Sequence, residues 1–224
     1  PKASTDQPQI ACIHTPCGTL NDASRKTCLN CGSPLPCPPG TLLKDRFQID
    51  ALLALGGFGA VYRGTDLSNG KTIEIKEMLC ADKGQFNIRL NFFRREADIL
   101  KALEEQPIVP NLLDFIEFEN SAYVVMDYVQ GKDLLKILES SNNRPFTVEE
   151  VAAWGVTICD VVEAMHRHDP PLIHRDIKPA NIKLTPNGDV LLVDFGIAKT
   201  GDPSTETQTG AWAFSPGFAP PEQI

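Results

Sequence analysis

The sequence predicts an α+β protein with a strand-rich half and a helix-rich half, preceded by a small cysteine-rich module. Three observations predict this arrangement. Five of the seven cysteines, Cys12, Cys17, Cys28, Cys31 and Cys37, crowd the first forty residues. Strand-like alternation bounded by turns, with one helical segment, fills the stretch from Phe47 to Asp127. From Asp133 onward helical spacing takes over, chiefly between Val151 and Met165. The predicted layout is a metal-binding module over 9–33, a spacer over 34–43, a first half over 44–131, and a second half over 132–224.

Composition sets the outer limits. The 224 residues are 42% hydrophobic and 22% charged, ordinary for a globular protein. A net charge of −8 argues against a nucleic-acid partner. No apolar run approaches the roughly 18 residues of a membrane span. The longest, Leu52 to Tyr62, is broken by three glycines. No export signal is visible, so a cytoplasmic location is expected. The chain opens on Pro1, and the natural N-terminus is expected to lie upstream.

The cysteines fall in two knuckles, Cys12-x4-Cys17 and Cys28-x2-Cys31, ten residues apart. Paired thiolates within one turn can reach the same ion, and Gly18 and Gly32 permit the tight turns that follow. Four sulfurs make a closed, structural zinc site, and so short a segment needs the metal to fold. The pattern resembles a zinc ribbon, which is expected to contact another protein or domain. Its first knuckle is longer than usual, and His14 inside it could replace Cys12. The competing reading is an unfolded leader with exposed thiols. Cys37 lies outside both knuckles and is expected to be free. Residues 34–40 hold four prolines, which exclude a helix or a central strand and suit a stiff spacer.

In the first half, Phe47 to Leu53 reads as a strand. It runs into the turn Ala54-Leu55-Gly56-Gly57-Phe58-Gly59 and then Val61 to Gly64. Small residues here let backbone amides approach phosphate oxygens. Alternation over Thr72 to Lys76 puts Ile73 and Ile75 on one face and Glu74 and Lys76 on the other. Phe93 to Leu100 is helical and carries Glu96. Pro110 to Phe118 and Ala122 to Asp127 read as two more strands. In the second half, Asp133 to Leu138 starts a short helix. Thr147-x-x-Glu150 is a capping box opening a long helix that Pro170 and Pro171 close. Trp154, Cys159 and Met165 are expected in the core. Gly188 marks a hairpin turn between Ile182–Leu184 and Val190–Val193.

The most informative stretch is His174-Arg175-Asp176-Ile177-Lys178-Pro179-Ala180-Asn181, followed by Asp194-Phe195-Gly196. One acid can take a proton from a hydroxyl, while an amide and a second acid can hold magnesium. Phosphoryl transfer needs this division, because the protein mainly positions reactants and neutralises charge.

These motifs, in this order, resemble the catalytic and magnesium loops of a protein kinase. The likeness covers roughly Lys44 to Ile224 and is closest to bacterial, Hanks-type serine/threonine kinases. It implies the two-lobed kinase fold, ATP and Mg2+ (or Mn2+) as cofactors, and a protein substrate. Asp176 would orient the substrate hydroxyl, Lys178 would steady the γ-phosphoryl, and Asn181 and Asp194 would hold magnesium. Leu53, Gly56, Gly57, Phe58, Gly59 and Val61 would cover the nucleotide. Lys76, paired with Glu96, would hold its phosphates. Met126 would guard the adenine pocket, whose edge Asp127 and Val129 would read.

The resemblance implies further roles. Arg175 would pair with a phosphate on the segment 199–214, where Ser204, Thr205, Thr207 and Thr209 are candidates. His174 would pack and hydrogen-bond. Ser215 would contact the catalytic aspartate and lysine. Glu222 would meet an arginine beyond Ile224, where further helices of the second lobe are expected; without them the segment should be marginally stable and poorly active.

Two departures stand out. Ala54 replaces the first loop glycine and is expected to strain the turn. Glu74 occupies a position where the family carries alanine against the purine, which should weaken ATP binding. The alternative is therefore a pseudokinase scaffold. A small-molecule phosphotransferase of related fold is disfavoured by Lys178 and the docking-loop motif ending at Glu222.

Overall fold

In the computed structural model, the described residues are 9–12, 14, 16–56, 59–80, 82–118, 121–196, 199–200, 215 and 217–221. They divide into two compact units. The first holds residues up to Asn91 with Asp114–Met126, and the second holds Phe92–Leu113 with Asp127 onward.

In the first unit, β1 (Gln9–Ala11) and β2 (Leu20–Asp22) form a small antiparallel ladder. The main sheet follows: β3 (Leu42–Leu43), β4 (Phe47–Gly56), β5 (Gly59–Asp66) and β6 (Lys71–Met78). Helix α1 (Lys83–Ala102), which passes into the second unit at Phe92, precedes β7 (Leu112–Phe118) and β8 (Ser121–Asp127). The six strands run in the order β3-β4-β5-β6-β8-β7. Phe47 and Ile49 of β4 and Tyr62 of β5 are fully buried, as are Ile73 and Ile75 of β6, the face that alternation predicts there. Register shifts around Asp50 and Leu53 interrupt the β4–β5 ladder, and both Leu52 and Leu53 end up exposed.

Gly59 closes the β4–β5 hairpin at φ +150, and a Cβ there would lie 1.8 Å from the Glu77 carbonyl oxygen. Only glycine fits so close an approach. Ala54, by contrast, sits in β4 opposite Val61 and is not among the residues with positive φ. The strain expected there is not found, because the strand has not yet begun to turn. Asp66, buried at the end of β5, accepts two hydrogen bonds from Arg46. The guanidinium, ahead of the Ser68 hydroxyl and amide, holds the Asp66 carboxyl well below the ordinary range.

The second unit carries β9 (Lys132–Asp133), α2 (Leu134–Ser140), α3 (Val148–Arg167), β10 (Leu172–Ile173), β11 (Ile182–Leu184), β12 (Val190–Leu192) and β13 (Lys199–Thr200). Thr147 and Glu150 form the reciprocal capping box that the sequence predicts. Helix α3 packs against β10 and β12, burying Ile158, Val161 and Met165. Cys159 is exposed and Trp154 only half-buried against Phe146, contrary to expectation. Cys159 is one residue past Ile158, about 100° around the helix from the packed stripe.

The proline-rich segment is bound to the first unit along its length. Leu35 lies in the core of the cysteine module beside Cys12 and Cys28. Cys37 hydrogen-bonds into the main sheet, the Gly40 amide donates to Ile49, and Leu42–Leu43 pair with β4 as β3. The stiff spacer expected from four prolines is thus a docked strap, because its backbone groups find partners on the sheet.

Candidate active site

β10 delivers the chain to His174, and a short 3-10 turn over Pro179–Asn181 leads into β11. Between them Asp176, Lys178 and Asn181 converge. Asn181 Nδ2 donates to Asp176 Oδ2 and to the Asp176 carbonyl, each at 2.9 Å. Lys178 Nζ lies 2.8 Å from Asp176 Oδ2 and also donates to the Ser215 hydroxyl. That hydroxyl in turn donates to Asp176 Oδ1 at 2.6 Å. Each carboxylate oxygen of Asp176 thus has a defined donor.

The loop is fastened from behind. His174 is 3% exposed, packs 4.9 Å from the Phe195 ring, and its Nδ1 accepts from the Asp176 amide at 3.3 Å. It packs and hydrogen-bonds, as expected. The Val193 amide donates to the Asn181 carbonyl and so ties the Asp194 segment to the same turn. Arg175 and Asp194 both hold φ 68, a left-handed conformation that costs about 1–3 kcal/mol in a residue with a side chain. A Cβ built on Gly196 would sit 3.4 Å from Asp194 Oδ1 and 3.6 Å from Glu96 Oε2, so both carboxylates border this glycine.

Lys76 lies on β6 and, by alternation, shares a face with Glu74, which is 9% exposed. Met126 on β8 is buried. The Asp127 amide donates to the Asn111 carbonyl, and Asn111 Nδ2 donates to the Asp127 carboxylate at 2.7 Å. Asp127 and Val129 also line a cavity of about 370 Å³ with Asn111 and Leu191, which none of Asp176, Asn181 and Asp194 enters. Gly56 pairs with Gly59 at the hairpin end. Gly57, Phe58, Ser204, Thr205, Thr207, Thr209 and Glu222 lie outside the described residues.

A family profile for the protein kinase domain matches residues 47–224. The chain belongs to the protein kinase family. Serine/threonine-protein kinase B of Synechocystis is 34% identical over 95% of this chain and 38% of its own length. That alignment extends well into the cysteine module. A probable serine/threonine-protein kinase PknB of Corynebacterium glutamicum is 35% identical over 81% of the chain and 28% of its own length. Serine/threonine-protein kinase PknA of Mycobacterium tuberculosis is 31% identical over 82% and 42% respectively. The chain thus spans between about a quarter and two fifths of these relatives.

Ahead of the kinase domain, Cys12, Cys17, Cys28 and Cys31 bring their sulfurs within 4.8 Å of one another. Cys12 and Cys31 are 3.5 Å apart, and Cys17 and Cys28 are 3.6 Å apart. A metal 2.3 Å from four tetrahedral sulfurs would set them about 3.8 Å apart, so the cluster fits zinc. Asn21 Nδ2 points at Cys28 and Asn30 Nδ2 at Cys17, each at 3.5 Å, as outer-shell donors to thiolates do. The Thr19 hydroxyl and amide hold the Cys17 thiol down at about 5, whereas burial pushes Cys12 up to about 12. The cluster takes Cys12, and His14 is exposed outside it.

One buried acid in the kinase domain belongs to none of the motifs. Glu77, next to Lys76 on β6, is 4% exposed and binds Cys37, Tyr62 and Tyr123. Its only signal was its place on the apolar face of β6, opposite in phase to Lys76.

Proposed function

We propose that the chain carries the nucleotide-binding and catalytic segment of a serine/threonine kinase moving the ATP γ-phosphoryl onto protein hydroxyls. The observation that supports it best is the convergence of Asp176, Lys178 and Asn181 with Ser215. Asp176 Oδ1 already accepts an O–H at 2.6 Å, the interaction a substrate hydroxyl would make before losing its proton. Lys178 steadies the transferring group. Asn181 spends its Nδ2 on Asp176 and so directs Oδ1 elsewhere, which with the Asp194 carboxylate offers hard oxygens suited to magnesium or manganese. The bound metal supplies charge neutralisation on the phosphates. Lys76 engages the α- and β-phosphates, and the hairpin from Leu53 to Val61 covers them. Met126, Asp127 and Val129 frame the adenine. The relatives named as serine/threonine-protein kinases support the acceptor class. The test is transfer of labelled γ-phosphate from ATP to serine and threonine of an acceptor protein by the full-length chain.

A scaffold with weakened nucleotide binding is the second reading, and Glu74 favours it. A buried carboxylate on the face of Lys76 opposes a polyanion. Glu74→Ala should therefore tighten ATP in an equilibrium titration. Equal affinities would retire this reading.

The four cysteines hold a structural zinc in this account. The exposed Leu20 and Leu29 are the module's apolar side chains for meeting another protein or domain.

A further inference from the structure

A carboxylate buried without a cation at its side needs hydrogen-bond donors instead. Among the described residues, Glu77 has four donor groups. Oε1 accepts from the Tyr123 hydroxyl at 2.8 Å and the Cys37 thiol at 3.1 Å. Oε2 accepts from the Tyr62 hydroxyl and from the Cys37 amide at 3.1 Å. A carboxylate offers about four lone-pair sites, so its capacity is filled. Two donors belong to the sheet, and two belong to one residue of the strap. Burial first, and then the charge of Glu77, push the Cys37 thiol up to about 12 and both tyrosines upward, so all three keep their protons and remain donors.

The strap leaves little slack on either side. Thr27 bridges Pro34, and the Leu35 amide donates to the Lys26 carbonyl beside the second knuckle. Leu35 is 3% exposed in the cysteine cluster's core, and the buried Pro36 alone separates it from Cys37. On the other side, Glu77 follows Lys76 directly on β6. A bonded path therefore runs from the cysteine cluster through Leu35, Pro36 and Cys37 to the strand bearing Lys76.

We propose that Glu77 is a positioning residue that latches the strap to β6, so that metal occupancy of the cysteine cluster and ATP affinity at Lys76 are coupled. This rests on the reading of Lys76 as a phosphate-binding lysine. If the metal leaves, the knuckles loosen, Cys37 withdraws two donors, and Glu77 is left buried with half its partners. β6 then shifts to find water or new donors, and Lys76 shifts with it. Linkage makes the effect reciprocal: ATP should raise metal affinity by the same factor.

The experiment uses the full-length protein, with and without one equivalent of zinc. It reads the equilibrium ATP dissociation constant and amide hydrogen exchange over residues 34–43. Removing zinc from the wild type should weaken ATP about tenfold and speed exchange across the strap. Glu77→Gln turns acceptors into a mixed amide, and Cys37→Ala removes the thiol donor. Both should bind ATP with an affinity that zinc barely changes. Cys37→Ser restores an O–H donor and should restore most of the coupling. Wild-type ATP affinity indifferent to zinc would overturn the proposal, as would full coupling in a folded Cys37→Ala protein. Lys76→Ala separates the underlying assumption: if it binds ATP as the wild type does, the reading of Lys76 fails, whatever the strap does.

Discussion

Stripping the metal from the full-length protein should release one zinc per chain and unfold residues 9–33. The expected effect is large. Structural zinc sites supply about 10–16 kcal/mol of apparent binding free energy, which in so small a module is folding free energy. Among the described residues, its apolar core cluster is Cys12, Cys28 and Leu35, with Ile10 and Cys17 packed against them. Two three-residue strands cannot replace what the metal contributes. Cys28→Ser should abolish stoichiometric zinc binding, whereas His14→Ala should leave it intact, because His14 lies outside the sulfur cluster. Elemental analysis gives the stoichiometry, and hydrogen exchange over the two knuckles reports the unfolding. Retention of protected amides in the stripped protein would contradict a structural role.

Asp194→Asn should lower the transfer rate about a hundredfold or more and raise the magnesium needed for half-maximal rate. Asparagine is the informative replacement. Asp194 holds φ 68, and Asn tolerates this left-handed conformation better than Ala does. Strain is therefore little changed, and the loss reports the missing charge. An anionic oxygen that holds a metal against phosphate contributes to several kcal/mol of charge stabilisation, so removing the charge loses a substantial part of it. The tie between Val193 and Asn181 should keep the segment in place in the variant. A magnesium titration of initial rates checks this, and an unchanged requirement would remove Asp194 from the metal site.

Much of this was legible in the sequence because its signals are local. Two-residue alternation identified the inward face of β6 around Ile73 and Ile75. Thr147 and Glu150 announced the start of α3 four residues ahead of its apolar stripe. The meeting of Asp176, Lys178 and Asn181 was legible from their spacing, since all three fall within six residues of one loop.

What escaped involves partners far apart in the chain. Cys37 and Glu77 are forty residues apart, and no local pattern links a cysteine among prolines to an acid on a strand. Tyr123 joins them from β8. The first turns of α1, from Lys83, lack an acidic first turn, so only its second half, around Glu96, read as helix. The exposure of Cys159 follows from its phase on α3, one residue off the packed stripe, and that of Leu52 from a register shift that no local pattern marks. Glu74 was legible as a departure, and its burial makes its effect on ATP worth measuring.

The most direct measurement compares the full-length wild type with Asp176→Asn in the same labelled-ATP assay, counting phosphate on serine and threonine of an acceptor protein. A positioned general base contributes about 10²–10⁴-fold, so the variant should be slower by that factor while ATP affinity holds. Equal rates in the two proteins, or no transfer by a wild type that binds magnesium and ATP, would contradict the account.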